Sequence, residues 1–118
     1  MDIALWIAQI ILAVGLIGAG FNHAMRRDKA TGAMAWMLDI PKPALTTIGV
    51  LEILAGIGVI VPWATGILPW LTPVAAALVV VLMLLAAVFH LRRPGETQNV
   101  AFNVVIAVIA AFVAWGRY

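Results

Sequence analysis

The sequence predicts an all-α, integral membrane four-helix bundle with short loops, and three observations carry that prediction. Its 118 residues are 65% hydrophobic and only 10% charged, with a mean hydropathy of +1.13, far from the balance of soluble domains. The apolar residues fall into four runs of about 20, each long enough to cross a hydrocarbon core of about 30 Å as a helix. The connections between them are short, so a single membrane domain over 1–118 is expected to use the whole length.

The first span is expected over residues 3–24, with Gln9 as its only polar residue before Asn22 and His23. Gly15, Gly18, Ala19 and Asn22 recur at helical spacing and predict a face that another helix approaches closely. No basic n-region or small-residue cleavage site precedes Arg26, so the segment reads as a retained span and not as a signal peptide. Residues 30–42 make the longest connection. Its apolar Met34, Trp36, Met37 and Leu38 predict either a short amphipathic piece lying in the interface or a loop dipping into the headgroups, with Trp36 at headgroup depth.

The second span is expected over 43–61, with Pro43 tolerated in its first turn. Gly49, Glu52 and Gly56 share one helical face, so the carboxyl is expected in a close helix contact beside gaps that a partner or ligand fills. Counted from Pro43 at the helical rise, Glu52 lies roughly 13 Å in, near the middle of the bilayer. An uncharged turn from Pro62 to Trp70 leads to the third span over 70–91, where His90 is the first polar residue after Thr72. The turn Arg92-Arg93-Pro94-Gly95-Glu96 follows, and the fourth span, 97–115, carries Asn99 and Asn103 four apart on one face.

Charge sets the topology. Arg26, Arg27, Lys29, Lys42, Arg92 and Arg93 lie in the connections after spans one and three, and Arg117 alone lies on the opposite side. The positive-inside rule therefore puts those connections in the cytoplasm and both termini outside. Trp6, Trp63, Trp70 and Trp115 then fall together at the outer interface. Basic residues clustered at helix ends read as topology signals, so no nucleic-acid partner is expected. Cysteine is absent, which excludes disulfides, thiol redox chemistry and Cys-ligated metal centres.

The chemistry concentrates on Glu52. A charged carboxylate in a hydrocarbon core costs about 2.5 to 3.5 kcal/mol even on lenient insertion scales. The residue must therefore face protein, water or a proton, and intramembrane acids are functional by default. Asn22, His23, His90, Asn99 and Asn103 all fall in the same half of the bundle. They predict a pocket in which Glu52, His23 and His90 exchange protons and the asparagines position a small lipophilic ligand. The structural alternative is a set of cross-helix hydrogen bonds with no ligand. Two histidines and one glutamate without close ligand spacing do not predict a metal site. The segment Phe21-Asn22-His23-Ala-Met-Arg26-Arg27 has a weak echo in Phe89-His90-Leu-Arg92-Arg93.

The Gly49-x-x-Glu52-x-x-x-Gly56 core leading to Pro62, the His90-Leu-Arg-Arg-Pro-Gly95-Glu96 turn, Asn99 and the closing Val113-Ala-Trp-Gly-Arg117 resemble the DoxX-like membrane proteins over nearly the whole chain. That resemblance implies a compact four-helix membrane bundle, with Glu52 as the family's acidic residue in the second helix and Arg92, Gly95 and Glu96 in its inner turn. It also implies partnership with redox enzymes and a quinone as ligand, since relatives include a subunit of a thiosulfate:quinone oxidoreductase. No redox cofactor motif is visible in the chain itself. A proton-coupled small-molecule transporter and a non-catalytic assembly partner are the alternatives, and the glycine-rich faces serve internal packing or a homo-oligomer equally well.

Overall fold

The computed structural model describes the backbone of residues 1–118 and every side chain except that of Ala33. It contains α1 Asp2–Met25, α2 Lys42–Gly58, α3 Val61–Thr65, α4 Leu71–Leu91 and α5 Thr97–Arg117, with no strand among the described residues. Two 3-10 turns, Arg27–Lys29 and Gly32–Asp39, form a strap between α1 and α2. Four segments are long and apolar enough to cross a membrane: Asp2–Met25, Lys42–Thr65, Leu71–Leu91 and Thr97–Arg117. The molecule measures 40 × 24 × 18 Å, and its long axis matches a bilayer core with part of its headgroup layers. Many large apolar side chains point outward, Leu54, Leu78, Leu85 and Val108 among them, as a lipid-facing surface requires.

The second span is not one uninterrupted helix. Pro62 has no N–H to give the carbonyl of Gly58 four residues earlier, and its ring crowds that carbonyl, so α2 stops and α3 restarts at Val61. The freed carbonyl does not stay orphaned: Thr72 Oγ1 donates to Gly58 O at 3.0 Å. Next to it, Gln9 Nε2 donates to Val59 O at 2.7 Å. Two side chains from other helices thus satisfy the broken end, as buried backbone groups demand. Gly66, at φ +72, then closes α3 in the left-handed conformation.

The bundle is a pair of helical hairpins. α1 packs along α2 and α4 along α5, and the hairpins meet more sparsely through α1–α5 and α2–α4. The α1–α2 seam is backbone on backbone. A Cβ on Gly20 would lie 2.5 Å from the Gly49 carbonyl oxygen, and one on Gly49 would lie 2.5 Å from that of Gly20. A Cβ on Gly56 would meet Ile17 at 2.7 Å. The close-approach stripe of α1 is therefore Ala13, Ile17, Gly20 and Ala24, and the expected stripe through Gly15, Gly18 and Asn22 is corrected. Gly18 has nothing within 4 Å of where its Cβ would stand. Small residues occur on both faces of α1, and the phase is set by Gly20 and His23, which share the face turned to α2.

That register also sets where Glu52 meets α1. Gly20 against Gly49 and Ile53, and Gly56 against Ala13 and Ile17, put Glu52 level with Ala19 of α1, roughly 9 Å from the end of that helix, and the His23 side chain reaches back to it. About one turn of α2 projects beyond α1, and Met37 of the strap and Leu45 of that turn are buried, 2% and 0% exposed. At the other end, Leu12, Leu16, Val59, Val79, Ala110 and Val113 belong to the packed core.

Candidate functional site

Glu52 is 2% exposed on the inner face of α2, and its Oε1 is in hydrogen-bond contact with Nδ1 of His23 on α1. The glycine seam produces this pairing, because it draws the two backbones close enough for a short side chain and a ring to meet. Beside the pair lies a cavity of about 870 Å³ between the hairpins, floored by the strap. Asn22, His90, Asn99 and Asn103 are in its walls, together with apolar Met83, Phe89 and Phe102. Leu85 and Phe102, more than half exposed, form its rim toward the lipid-facing side. Volume and mixed lining are those of a small-molecule site.

The expected site residues therefore divide. Glu52 and His23 touch, and His90, Asn22, Asn99 and Asn103 share the cavity with them. Asn22 Nδ2 donates to its own helix at Gly18 O, 3.1 Å away. Gly49 and Gly56 are not in the cavity walls. The gaps beside the carboxyl that sequence assigned to a ligand are filled by α1, because the helix without Cβ atoms is itself the surface that α1 approaches.

His90 does not pair with Glu52. Its Nδ1 lies 2.6 Å from Oε1 of Glu96, in the turn before α5. Glu96 Oε2 also accepts from Arg93 Nε at 2.6 Å, and Arg93 Nη2 donates to Asp39 of the strap. Desolvation disfavours the Glu96 carboxylate, but the hydrogen bonds from His90 and Arg93 outweigh it and hold the pKa below its ordinary 4.5. Glu96 and Asp39 in turn raise Arg93 above its usual value.

Trp36 joins the two imidazole–carboxylate pairs. Its ring meets that of His23 edge-on at 5.1 Å and that of His90 at 4.8 Å, and Phe89 lies at 6.0 Å. Sequence reasoning placed this residue in the interface and missed its position in the site. The signal was the density of apolar residues in so short a connection, which needs a protein surface to cover. Trp36 Nε1 and Asn103 Nδ2 are buried without a hydrogen-bond partner, so the cavity walls hold two unsatisfied donors.

A second buried polar cluster occupies the opposite end. Arg117, 6% exposed, donates from Nε to Gln9 Oε1 and from Nη1 to Asp2 Oδ1, both at 2.7 Å. Its guanidinium lies 4.6 Å from the ring centre of Trp63 and 5.5 Å from that of Trp6, a cation–π sandwich. The arginine taken as a lone interfacial topology charge is thus inside the bundle. No group of three or more metal-ligating side chains occurs among the described residues.

Four apolar spans around a half-buried cavity with a carboxyl in its wall define a multi-pass membrane protein with a candidate ligand site in one half of the bundle. The sequence matches the DoxX-like family over residues 7–113, and the chain belongs to that family. No curated protein and no solved structure matches it.

Proposed function

We propose that this chain is an inner-membrane protein that binds a small lipophilic molecule in the cavity beside Glu52, with the His23–Glu52 pair exchanging a proton with the ligand's polar end. The observation that carries the reading is a hydrogen-bonded imidazole and carboxyl, both nine-tenths buried, set in the wall of a largely apolar cavity of about 870 Å³. Such a pair takes a proton from a bound hydroxyl at the imidazole while the carboxylate stabilises the imidazolium, and returns it in the reverse step. A quinone acting beside a redox enzyme is the ligand class that family membership favours. Its carbonyl oxygens are acceptors of the kind that Trp36 Nε1 and Asn103 Nδ2 lack. The basic connections, and with them the strap, lie on the cytoplasmic side in this reading.

Two rival readings have less support. Transport needs a path through the other half of the bundle, and that half is filled by Leu12, Leu16, Val59 and Val113, none more than 2% exposed. Docking of a basic span from another protein needs a carboxyl awaiting a partner, whereas Glu52 is already engaged by His23. Binding of a short-chain ubiquinone analogue to the protein in detergent, followed by isothermal titration calorimetry, tests the proposal. Glu52→Gln is expected to stay monodisperse and to bind at least tenfold more weakly. Equal affinity in the variant removes the proposal.

A further inference from the structure

The larger cavity has a neighbour. A second, more polar pocket of about 430 Å³ lies outside it, lined by Asp39, Arg93, Glu96, Gln98, Asn99 and Trp36. Trp36, Gln98 and Asn99 also line the larger cavity, so the two spaces share one wall. The strap carries Trp36, and it is attached to the bundle in an unusual way. Its 3-10 turn Gly32–Asp39 makes no extensive backbone packing with any of the membrane helices. It is held by side chains: Met37 is buried, the Trp36 ring rests against His23, Phe89 and His90, Arg27 donates from Nε to Ile40 O and from Nη2 to Leu38 O, and Asp39 pairs with Arg93.

We propose that the strap is a gate between an aqueous vestibule and the lipophilic cavity, with Trp36 as the plug and the Asp39–Arg93 pair as the latch. This rests on the cavity being the ligand site and deepens that reading: the ligand passes to and from water at the loop end of the bundle, past Trp36, so it is an amphiphile small enough to cross an aqueous vestibule. The latch suits a gate because it is a surface pair, with the Asp39 side chain 57% and the Arg93 side chain 30% exposed, the kind of ion pair that opens easily in water. Arg93 stays in place when the latch opens. It remains bonded to Glu96 and lies 5.3 Å over the Phe89 ring, so only the strap side moves. A strap held to the helices by side chains also opens without separating closely packed helix backbones, as segments of low local packing do.

The chain has no cysteine, so one introduced thiol reports on access with no ligand present. Ala86 lines the larger cavity. In the Ala86→Cys protein reconstituted in lipid nanodiscs, the rate of modification by the charged reagent 2-(trimethylammonium)ethyl methanethiosulfonate measures opening toward water, because a permanent cation does not arrive through the acyl chains. Adding Trp36→Ala is expected to accelerate labelling at least tenfold, and adding Asp39→Asn about threefold. Labelling unchanged by Trp36→Ala in a protein that remains monodisperse overturns the gate. If that variant does not fold, an unchanged rate with Asp39→Asn overturns it. Faster labelling together with an unaltered affinity of Glu52→Gln for the quinone analogue keeps the gate and discards the proton-exchanging ligand site, so the two failures are told apart.

Discussion

Both ends of this bundle bury ionisable side chains, and they do so to opposite ends. At the terminal end Arg117 is enclosed by Gln9, Asp2 and two tryptophan rings. At the strap end Glu52 and His23 satisfy each other but stand beside about 870 Å³ of open volume. Burial of a charge within a membrane span is therefore an ambiguous sign. A buried ion enclosed by bonding side chains and aromatic rings is a clamp, even with one N–H, that of Arg117 Nη2, left unpaired, whereas one in the wall of a cavity is a candidate site.

The clamp is the place where the contrast breaks most visibly. Gln9 serves two groups at once, donating to the Val59 carbonyl freed near the α2–α3 break and accepting from Arg117. Gln9→Leu leaves a backbone carbonyl and a buried guanidinium N–H without partners together, at a cost of about 3 kcal/mol. Reversible unfolding in mixed micelles is expected to show that loss while the folded fraction keeps its affinity for the quinone analogue. A loss below about 1 kcal/mol would mean that water replaces the amide, and the terminal end would no longer count as a dry clamp.

The helix seam gives the next effect. A Cβ on Gly49 meets backbone atoms of α1, the Gly20 oxygen at 2.5 Å and the Ala24 nitrogen at 2.7 Å, and backbone cannot step aside as a flexible side chain does. Gly49→Ala is expected to cost about 2 kcal/mol in the same unfolding measurement, and to weaken ligand binding because the seam sets the His23–Glu52 contact. Gly18→Ala, with open space around it, is expected to be neutral or to stabilise by up to about 1 kcal/mol through helix propensity. Equal effects at the two glycines would contradict the assigned phase of α1.

Much of this was legible in the sequence. Four apolar runs give four spans, an acid in an apolar helix demands polar company, and His23, Asn22, His90, Asn99 and Asn103 do gather around one cavity. Three features were hidden, each for a physical reason. The phase of α1 is ambiguous because glycine and alanine occur on both of its faces, and only the partner helix chooses. Glu96 as the partner of His90 depends on the chain reversing at Gly95, which adopts φ +79, so that residues six apart meet across a turn. Arg117 reads as interfacial because it follows a tryptophan near a helix end. Gln9 and Asp2, polar groups two turns apart on α1 at the same end of the bundle, were the available sign that it turns inward.

The smallest effect isolates the Glu96 carboxylate by pH. Glu96 lies outside the spans, and its folded pKa is held below the ordinary 4.5 by His90 and Arg93, against the opposing cost of desolvation. A carboxyl with a depressed folded pKa stabilises the fold above its unfolded value and loses that contribution as pH falls through the folded one. Melting of the wild-type protein is therefore expected to worsen from about pH 4.5 downward. Glu96→Gln starts less stable at neutral pH, since the charged hydrogen bonds to Arg93 and His90 are gone, and loses less on acidification. The other carboxylates titrate in both proteins, so the difference between the two melting curves isolates Glu96. Parallel curves from pH 7 to pH 3 would show that the Glu96 carboxylate contributes nothing as an ion.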